Sequence, residues 1–463
     1  MKKYNLIVII GLVLVLSSCR KVTIAPEFST LKKETRESTH SEIIFDNTMH
    51  TDIKDVVHSE HNEPCTLSKK EVVSAALQNN PELQADFQNL GIAKSDLMQA
   101  GLYTNPSINS VFRFPTHSPG PGTAQTNIET VASMRLSDLW QVPLAKDIAQ
   151  DLVEMVSMRI FSNILTIVEE AKMAYDACLA AELRLKNMQD LLMVIYELRD
   201  EIYYRQSYGY TSDLDKDVID AKVSMLESEL KQQEAERQNT YTHLKKVMGL
   251  EPSSSPIVLS DMLYDNLFVP DFIMMQDYAL AHRPEIHIAL LKIKQYEHTI
   301  RLEKAKIFKI VDIGIGFKQD FDKPFAGVGP FFGLDVPIFD DNYVQVARAE
   351  FLLKQAELEL EAEKLRILES ITKQYAYFEA LKTEIEWYTT IVLPSYNKAI
   401  DYAYTYAATM QLNMITALES RVQFHEAYAL YIDKLYHAMA EYAHLERAIG
   451  KNFELFKEDY GKA

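Results

Sequence analysis

The chain has 463 residues, 47% hydrophobic and 25% charged, enough apolar material for a large buried core. Glycine is scarce, at 14 residues, which favours helix over an all-β fold. The formal net charge of −18 disfavours nucleic acid as a partner, because a phosphate backbone would repel it.

At the N-terminus Lys2 and Lys3 precede an apolar run from Leu6 to Leu16, too short for a bilayer span and of the right length for a secretory signal. The run ends in Leu16-Ser17-Ser18-Cys19, which resembles a bacterial lipoprotein cleavage box. That resemblance implies a signal peptide over 1–18 and lipid on Cys19. Arg20 follows instead of Asp, which points to the outer membrane; an ordinary signal with an incidental cysteine is the alternative. No other apolar stretch reaches 18 residues, so no membrane-spanning helix is expected. Residues 19–65 are polar and read as a lipid-anchored tether. His40, His50, His58, His61 and Cys65 fall within it, a loose metal-handling segment or only a solvated linker, with no closed zinc spacing. Cys65 and Cys178 either pair in an oxidising compartment or stay as two thiols.

Order begins at Ser68, where Ser68 and Glu71 have capping-box spacing, and helix continues past the break Asn80-Pro81-Glu82-Leu83 to about Gly101. Two alternating segments follow, about 107–114 and 127–136, separated by the Pro/Gly-rich stretch Pro115–Gly122. In the second, Ile128, Thr130, Ala132, Met134 and Leu136 face one way. After Pro143 a very long helix is expected. Its seam runs Ile164, Ile167, Ala171, Ala174, Cys178, Ala181, Leu185, Met188, Leu192, Ile195 and Ile202, with Arg199 the polar member. A turn near Gly209 and a returning helix from about Leu214 to Met248 complete the unit.

The plan then repeats. Arg283-Pro284-Glu285-Ile286 answers Asn80-Pro81-Glu82-Leu83, strands at about 310–318 and 327–336 answer the first pair, and Pro337 answers Pro143. A helix from about Tyr343 to Tyr406 and a return to Gly450 close the second half. The fold class is mainly α with a small β part, internally duplicated over 66–250 and 251–450, with a tail at 451–463.

Strands of nine to eleven residues match the length of tilted transmembrane strands, yet four cannot close a barrel. Either several subunits pool strands, three giving twelve, or the strands form a periplasmic sheet packed on helices. The long helix carries a second apolar flank, including Leu165, Val168, Leu179, Leu191 and Val194, which suits a closed wall with a neighbour on each side. Glu169, Asp176, Asp190 and Glu197 form a heptad-spaced acidic line, either a solvated face or a lumen stripe that would favour cations. Gly314-Ile315-Gly316 lies inside a strand pattern and opens no helix, so it is no nucleotide loop. Pro394 should bend its helix.

With Ala100-Gly101-Leu102-Tyr103-Thr104-Asn105-Pro106, Val392-Leu393-Pro394 and the duplicated half, these features resemble the outer-membrane efflux (TolC) family, in the lipoprotein branch serving resistance–nodulation–division exporters. The resemblance covers about residues 66–450 and is nearest the heavy-metal cation subgroup. It implies a homotrimer whose strands form a twelve-stranded outer-membrane barrel above a periplasmic tunnel of coiled-coil-like helices. It also implies a passive conduit for heavy-metal cations or drugs, joined to a periplasmic adaptor and an inner-membrane pump, with no enzyme activity, cofactor or resident metal. The family's turns carry Gly followed by Leu-Asp and form the aperture and adaptor-docking tips. Gly209, Leu214 and Asp215 fit, with Asp213 and Asp217 beside them; Ala407 and Asn413 stand in the second half where Gly and Asp are expected. Asp213 and Asp215 could instead only cap the returning helix. The rival to a channel is a non-conducting periplasmic coiled-coil scaffold lipoprotein.

Overall fold

The computed structural model describes residues 29–39, 41, 65–114, 126–254, 256–264, 267–320, 325–409 and 411–460. The expected signal peptide, Cys19, and His40, His50, His58 and His61 lie outside them. The first half comprises α1 Ser29–Thr39, β1 Cys65–Leu67, α2 Lys69–Asn79, α3 Pro81–Ala100, β2 Ser107–Arg113, β3 Asn127–Arg135, α4 Asp138–Ser207 and α5 Asp213–Val247. The second comprises β4 Ile257–Leu259, α6 Phe272–His282, α7 Pro284–Ala305, β5 Val311–Asp320, β6 Phe325–Leu334, α8 Tyr343–Trp387, a π turn Tyr388–Val392, α9 Leu393–Ala408, α10 Met414–Ile449 and α11 Phe453–Tyr460. The order helix, helix, strand, strand, long helix, helix thus occurs twice.

The chain divides into two compact units. One, Phe87–Val156 with Gln295–Glu350, holds a four-stranded antiparallel sheet in the order β2-β3-β5-β6. Each hairpin comes from one half of the sequence, and β3 with β5 joins them, from Asn127 opposite Asp320 to Arg135 opposite Asp312. The long helix starts at Asp138, so Pro143 lies inside it and not before it. Pro143 forfeits one helical hydrogen bond, while the Trp140 indole donates to the Ala305 carbonyl at 3.2 Å and Gln141 to the Phe308 carbonyl at 3.2 Å, holding this first turn.

The other unit, Ser29–Asp86, Ser157–Lys294 and Phe351–Ala463, is helical. The α4 seam is buried as its period requires: Ile164, Ala171, Cys178 and Ile195 have no exposed surface. Cys178 is a free thiol there, its pKa pushed up to about 12 by burial. Toward the end of α4, Leu192, Ile195 and Ile202 pack with Ile219 and Val223 of α5 and Leu418 and Val422 of α10. A second core joins Met275 of α6, Ile371 and Phe378 of α8, Ile449 of α10 and Phe453 of α11. The expected tail is therefore a core helix. The polar stretch 19–65 also contains structure: α1 buries Leu31, Thr35 and Thr39, and the Asn452 amide donates to the Ser38 carbonyl at 3.0 Å. Strands β1 and β4 pair in parallel, Cys65 opposite Ile257.

The π turn explains how the chain tolerates Pro394. Its ring would strike the carbonyl four residues back in an α-helix, and its nitrogen cannot donate. Widening the turn, so that the Leu393 amide reaches the Tyr388 carbonyl, makes the room.

The repeated Pro-Glu motif is a helix junction. In the first copy Pro81 opens α3 and the Asn80 side chain accepts from the Glu82 amide at 2.8 Å. In the second, Pro284 opens α7, and Glu285 accepts from Arg283 at 2.9 Å, Arg447 at 2.8 Å and Ser162 at 2.8 Å. Burial alone would raise the Glu285 pKa, but the two guanidiniums outweigh it and hold the group at about 2, below its ordinary 4.5. A carboxylate with a depressed folded pKa stabilises above its unfolded pKa, and that stability is lost as pH falls through the folded value. Glu285→Gln should cost on the order of 2–3 kcal/mol at neutral pH. In urea unfolding, the gap to wild type should hold above about pH 4.5 and close toward pH 2.

Candidate functional site

Register decides which side chains share a face of the sheet. Ile108 lies opposite Ala132, Ala132 opposite Ile315, and Ile315 opposite Pro330. The same face carries Phe112, Ile128, Met134, Ile313, Phe317, Val328, Phe332 and Leu334. It is apolar and open: Ile108 is 74% exposed, Val328 72% and Phe332 65%. The opposite face carries Asn109, Arg113, Glu129, Ser133, Lys318 and glycines 314, 316, 327 and 329. Arg113 pairs with Glu129 there at 2.8 Å. Leaving a large apolar side chain in water forgoes about 1.5–3 kcal/mol, so covering this face is worth on the order of 10 kcal/mol. Strands β2 and β6 are the sheet's edges. The strands fall within a few residues of their expected limits, with the faces as expected.

In the helical unit, α4 ends in a Schellman motif. Gly209 sits at φ 76° with its amide on the Gln206 carbonyl, and the Tyr210 amide reaches the Arg205 carbonyl at 2.9 Å. Ser212 then caps α5. Its hydroxyl accepts from the Asp215 amide at 3.2 Å, and Asp215 Oδ2 accepts from the Ser212 amide at 3.1 Å and hydroxyl at 2.7 Å. The Ser212 side chain, then its backbone, hold the Asp215 carboxyl below the ordinary carboxylate range. Asp213 accepts from Gln206 at 2.9 Å, Tyr203 donates to Asp220 at 2.6 Å, and Asp217 is exposed. Asp215 is thus a capping residue. Ser212 is the partner that sequence reasoning missed, although Ser-x-x-Asp is a readable capping signal.

The second turn differs from its expected form. Ala407 lies inside α9, which continues through Ala408, so it does not occupy the glycine position. The chain turns after it: the Gln411 and Leu412 amides both donate to the Tyr406 carbonyl. Asn413 caps α10, its side chain accepting from the Ile415 amide at 3.0 Å. Met414 and Ile415 pack on the core that α4 and α5 share, which brings both turns to one end of this unit.

The heptad-spaced acidic residues do not form an unpaired line. Asp176 is 1% exposed and paired with Lys69 at 2.7 Å; burial pushes its carboxyl above the ordinary value despite that partner. Glu169 meets His444 at 2.5 Å, which raises the histidine's pKa through that hydrogen bond, and Glu197 meets Arg421 at 2.6 Å. Asp190 remains partly exposed. Buried Asp176 cannot belong to a solvent-lining stripe.

No family model matches the sequence, and no curated protein matches it. Solved structures do. The outer-membrane channel OprN superposes with a TM-score of 0.68 at 16% identity, over 83% of this chain and 90% of that one. CusC, described by its conformational changes on folding and transmembrane channel formation, gives 0.68 at 15% identity, over 83% and 92%. The Campylobacter jejuni CmeC outer membrane channel gives 0.64 at 14% identity, over 88% and 89%. The chain has the fold of the outer-membrane efflux channels of the TolC family.

Asp215→Asn should loosen the first turn of α5 while Asp217→Asn leaves it intact. Amide hydrogen exchange over 212–217 should rise in the first variant and match wild type in the second; equal exchange in all three would remove Asp215 from the cap.

Proposed function

We propose that this chain is the outer-membrane channel subunit of a tripartite exporter. It would pass heavy-metal cations or drugs passively from a resistance–nodulation–division pump, through a periplasmic adaptor, to the outside. What carries this is the sheet: one open apolar face, one polar and glycine-rich face, and two open edges. An open edge in lipid is prohibitively costly. Pairing β6 of one copy with β2 of the next keeps all strands antiparallel, and three copies close twelve strands, an even number within the barrel range. The strands of 9, 10 and 10 residues have the length of tilted crossings, and β2, with 7, is shorter. The doubled element order supports an internal duplication, and the fold of known channels supports the conduit. Lipid on Cys19 would add an anchor to the same membrane. The exposed acidic tip, with Asp213 and Asp217 beside the Gly209 turn, is the candidate aperture and adaptor-docking end.

Detergent extraction should release a heat-modifiable complex of three chains that conducts in planar bilayers, with trivalent-cation block weakened in Asp215→Asn/Asp217→Asn. A monomer released by alkaline wash would sink the channel in favour of the scaffold. For cargo, a deletion strain should lose tolerance to cobalt, zinc, copper or silver; unchanged metal tolerance with lost drug tolerance would transfer the cargo to drugs.

A further inference from the structure

In the helical unit, the ends of α1 and α10, the start of α2, the middle of α4, the segment after β4 and the turn into α11 meet around a cavity of 990 Å³. Cavities of about 300–1,000 Å³ hold drug-sized ligands, on mostly apolar linings with a few placed polar groups. The apolar part here is Val73, Leu263, Leu267, Met439 and Tyr442, with Met262 beside them, 85% exposed. A thioether in that position adapts to varied apolar shapes.

The charged part of the lining does not balance. Lys69 pairs with Asp176 at 2.7 Å, Lys172 with Glu446 at 2.5 Å, and the exposed Lys70 with Glu454 at 2.8 Å. Asp261 is left over: among the described residues no cation pairs with it. Three lysines thus meet four carboxylates, an excess of one negative charge. Asp261 is also fixed in place. Its Oδ2 accepts from the Lys69 amide at 2.7 Å, and its own amide donates to the hydroxyl of fully buried Tyr175 at 3.2 Å. Its Oδ1 takes the hydroxyl of the adjacent Ser260, at 3.3 Å. The imbalance reaches the interior. Burial pushes the Asp176 carboxyl up and the charge of Asp261 acts in the same sense, against Lys69 and Lys172.

These features narrow what the cavity can take. An anion would meet excess charge of its own sign. A metal ion would find too few ligands, since the described residues hold no cluster of three histidine, cysteine or carboxylate side chains able to bind one. A small inorganic cation would leave the apolar lining in water. One positive charge on an apolar body satisfies both parts.

We propose that this cavity binds an amphipathic organic monocation, its ammonium beside Asp261 and its apolar body against Leu263, Leu267, Met439 and Tyr442. The ligand is held within the helical unit, so the site does not depend on the sheet being transmembrane.

The test titrates the purified full chain with phenylbutyltrimethylammonium, followed by saturation-transfer NMR and by equilibrium dialysis against protein-free solution of the same detergent. Two further probes separate the contributions. Tetramethylammonium has the charge without the apolar body, and phenylbutylsulfonate has the body with the opposite charge. The site requires saturable binding of the first probe, with both others weaker by about tenfold or more. Asp261→Asn keeps an acceptor for the Lys69 amide and should weaken the first probe about tenfold. Asp200→Asn, which removes an exposed charge near the far end of α4, should leave it unchanged. Circular dichroism checks that each variant is folded, and the comparison of probes on the wild type decides even where Asp261→Asn does not fold. Equal binding of the sulfonate and the ammonium overturns the proposal, as does equal weakening in Asp200→Asn, which would reduce the effect to net charge. No saturable binding of the ammonium probe means that the protein itself or a second copy fills the cavity, and overturns it too.

Discussion

Nine residues of β3 are bonded in antiparallel register to nine of β5, the partners lying in opposite halves of the sequence. Everything else about the sheet follows from that ladder. A slip of one residue would turn Ile128, Ala132 and Met134 to the polar side and bring Glu129 and Arg135 to the apolar one. Because the two hairpins are joined at their inner strands, β2 and β6 are left as edges, and the four strands make an open sheet. An open amphipathic sheet with its apolar side uncovered is not a stable end state in water. The ladder therefore defines both what the sheet needs, a low-dielectric surround, and how it can meet that need, by joining further strands edge to edge.

The helical unit solves a different problem. A helix as long as α4 gains little from propensity and must bury its stripe. Its seam is met by α5 and α10 at one end, while α6, α8, α10 and α11 build a second core of their own. The polar contacts between these helices are long-range in sequence: Lys69 with Asp176, Lys172 with Glu446, Arg184 with Asp433, Glu197 with Arg421. In two of these pairs α4 supplies the acid, Asp176 and Glu197, and in the other two the cation, Lys172 and Arg184. Removing one partner from a buried pair such as Lys69–Asp176 strands a charge, so these contacts fix how the helices pack more than they add stability.

Periodicity made the strands, the α4 seam and the doubled plan legible, because each depends on spacing within a few turns. The Pro-Glu motif was visible as a repeat, but its role was not, since Glu285 is held by Arg447, 162 residues away. The acidic line misled for the same reason: Glu169 and Asp176 look alike at heptad spacing, and only their partners His444 and Lys69, from distant stretches, show that both are paired inside the helical unit. The short strands β1 and β4 pair only with each other and carry too few residues for alternation to register. Helices α1 and α11 sit in polar stretches, and α11 is buried by residues distant in sequence, Met275 and Phe378 among them.

The two turns of the helical unit show how far duplication constrains chemistry. Both must reverse the chain and cap a returning helix, and both do, with Ser212 and Asp215 in one and Asn413 in the other. The first meets the reversal with a left-handed glycine; the second carries α9 through Ala407 and Ala408 and then turns, with two amides sharing the Tyr406 carbonyl. Asn can cap as well as Asp but brings no charge. The backbone geometry of the tip is therefore kept twice, whereas its carboxylates are supplied by one half alone. In an assembly of identical copies, negative charge would then recur once per subunit around the tip. Any cation preference there would arise from Asp213, Asp215 and Asp217, the carboxylates that the first half alone supplies.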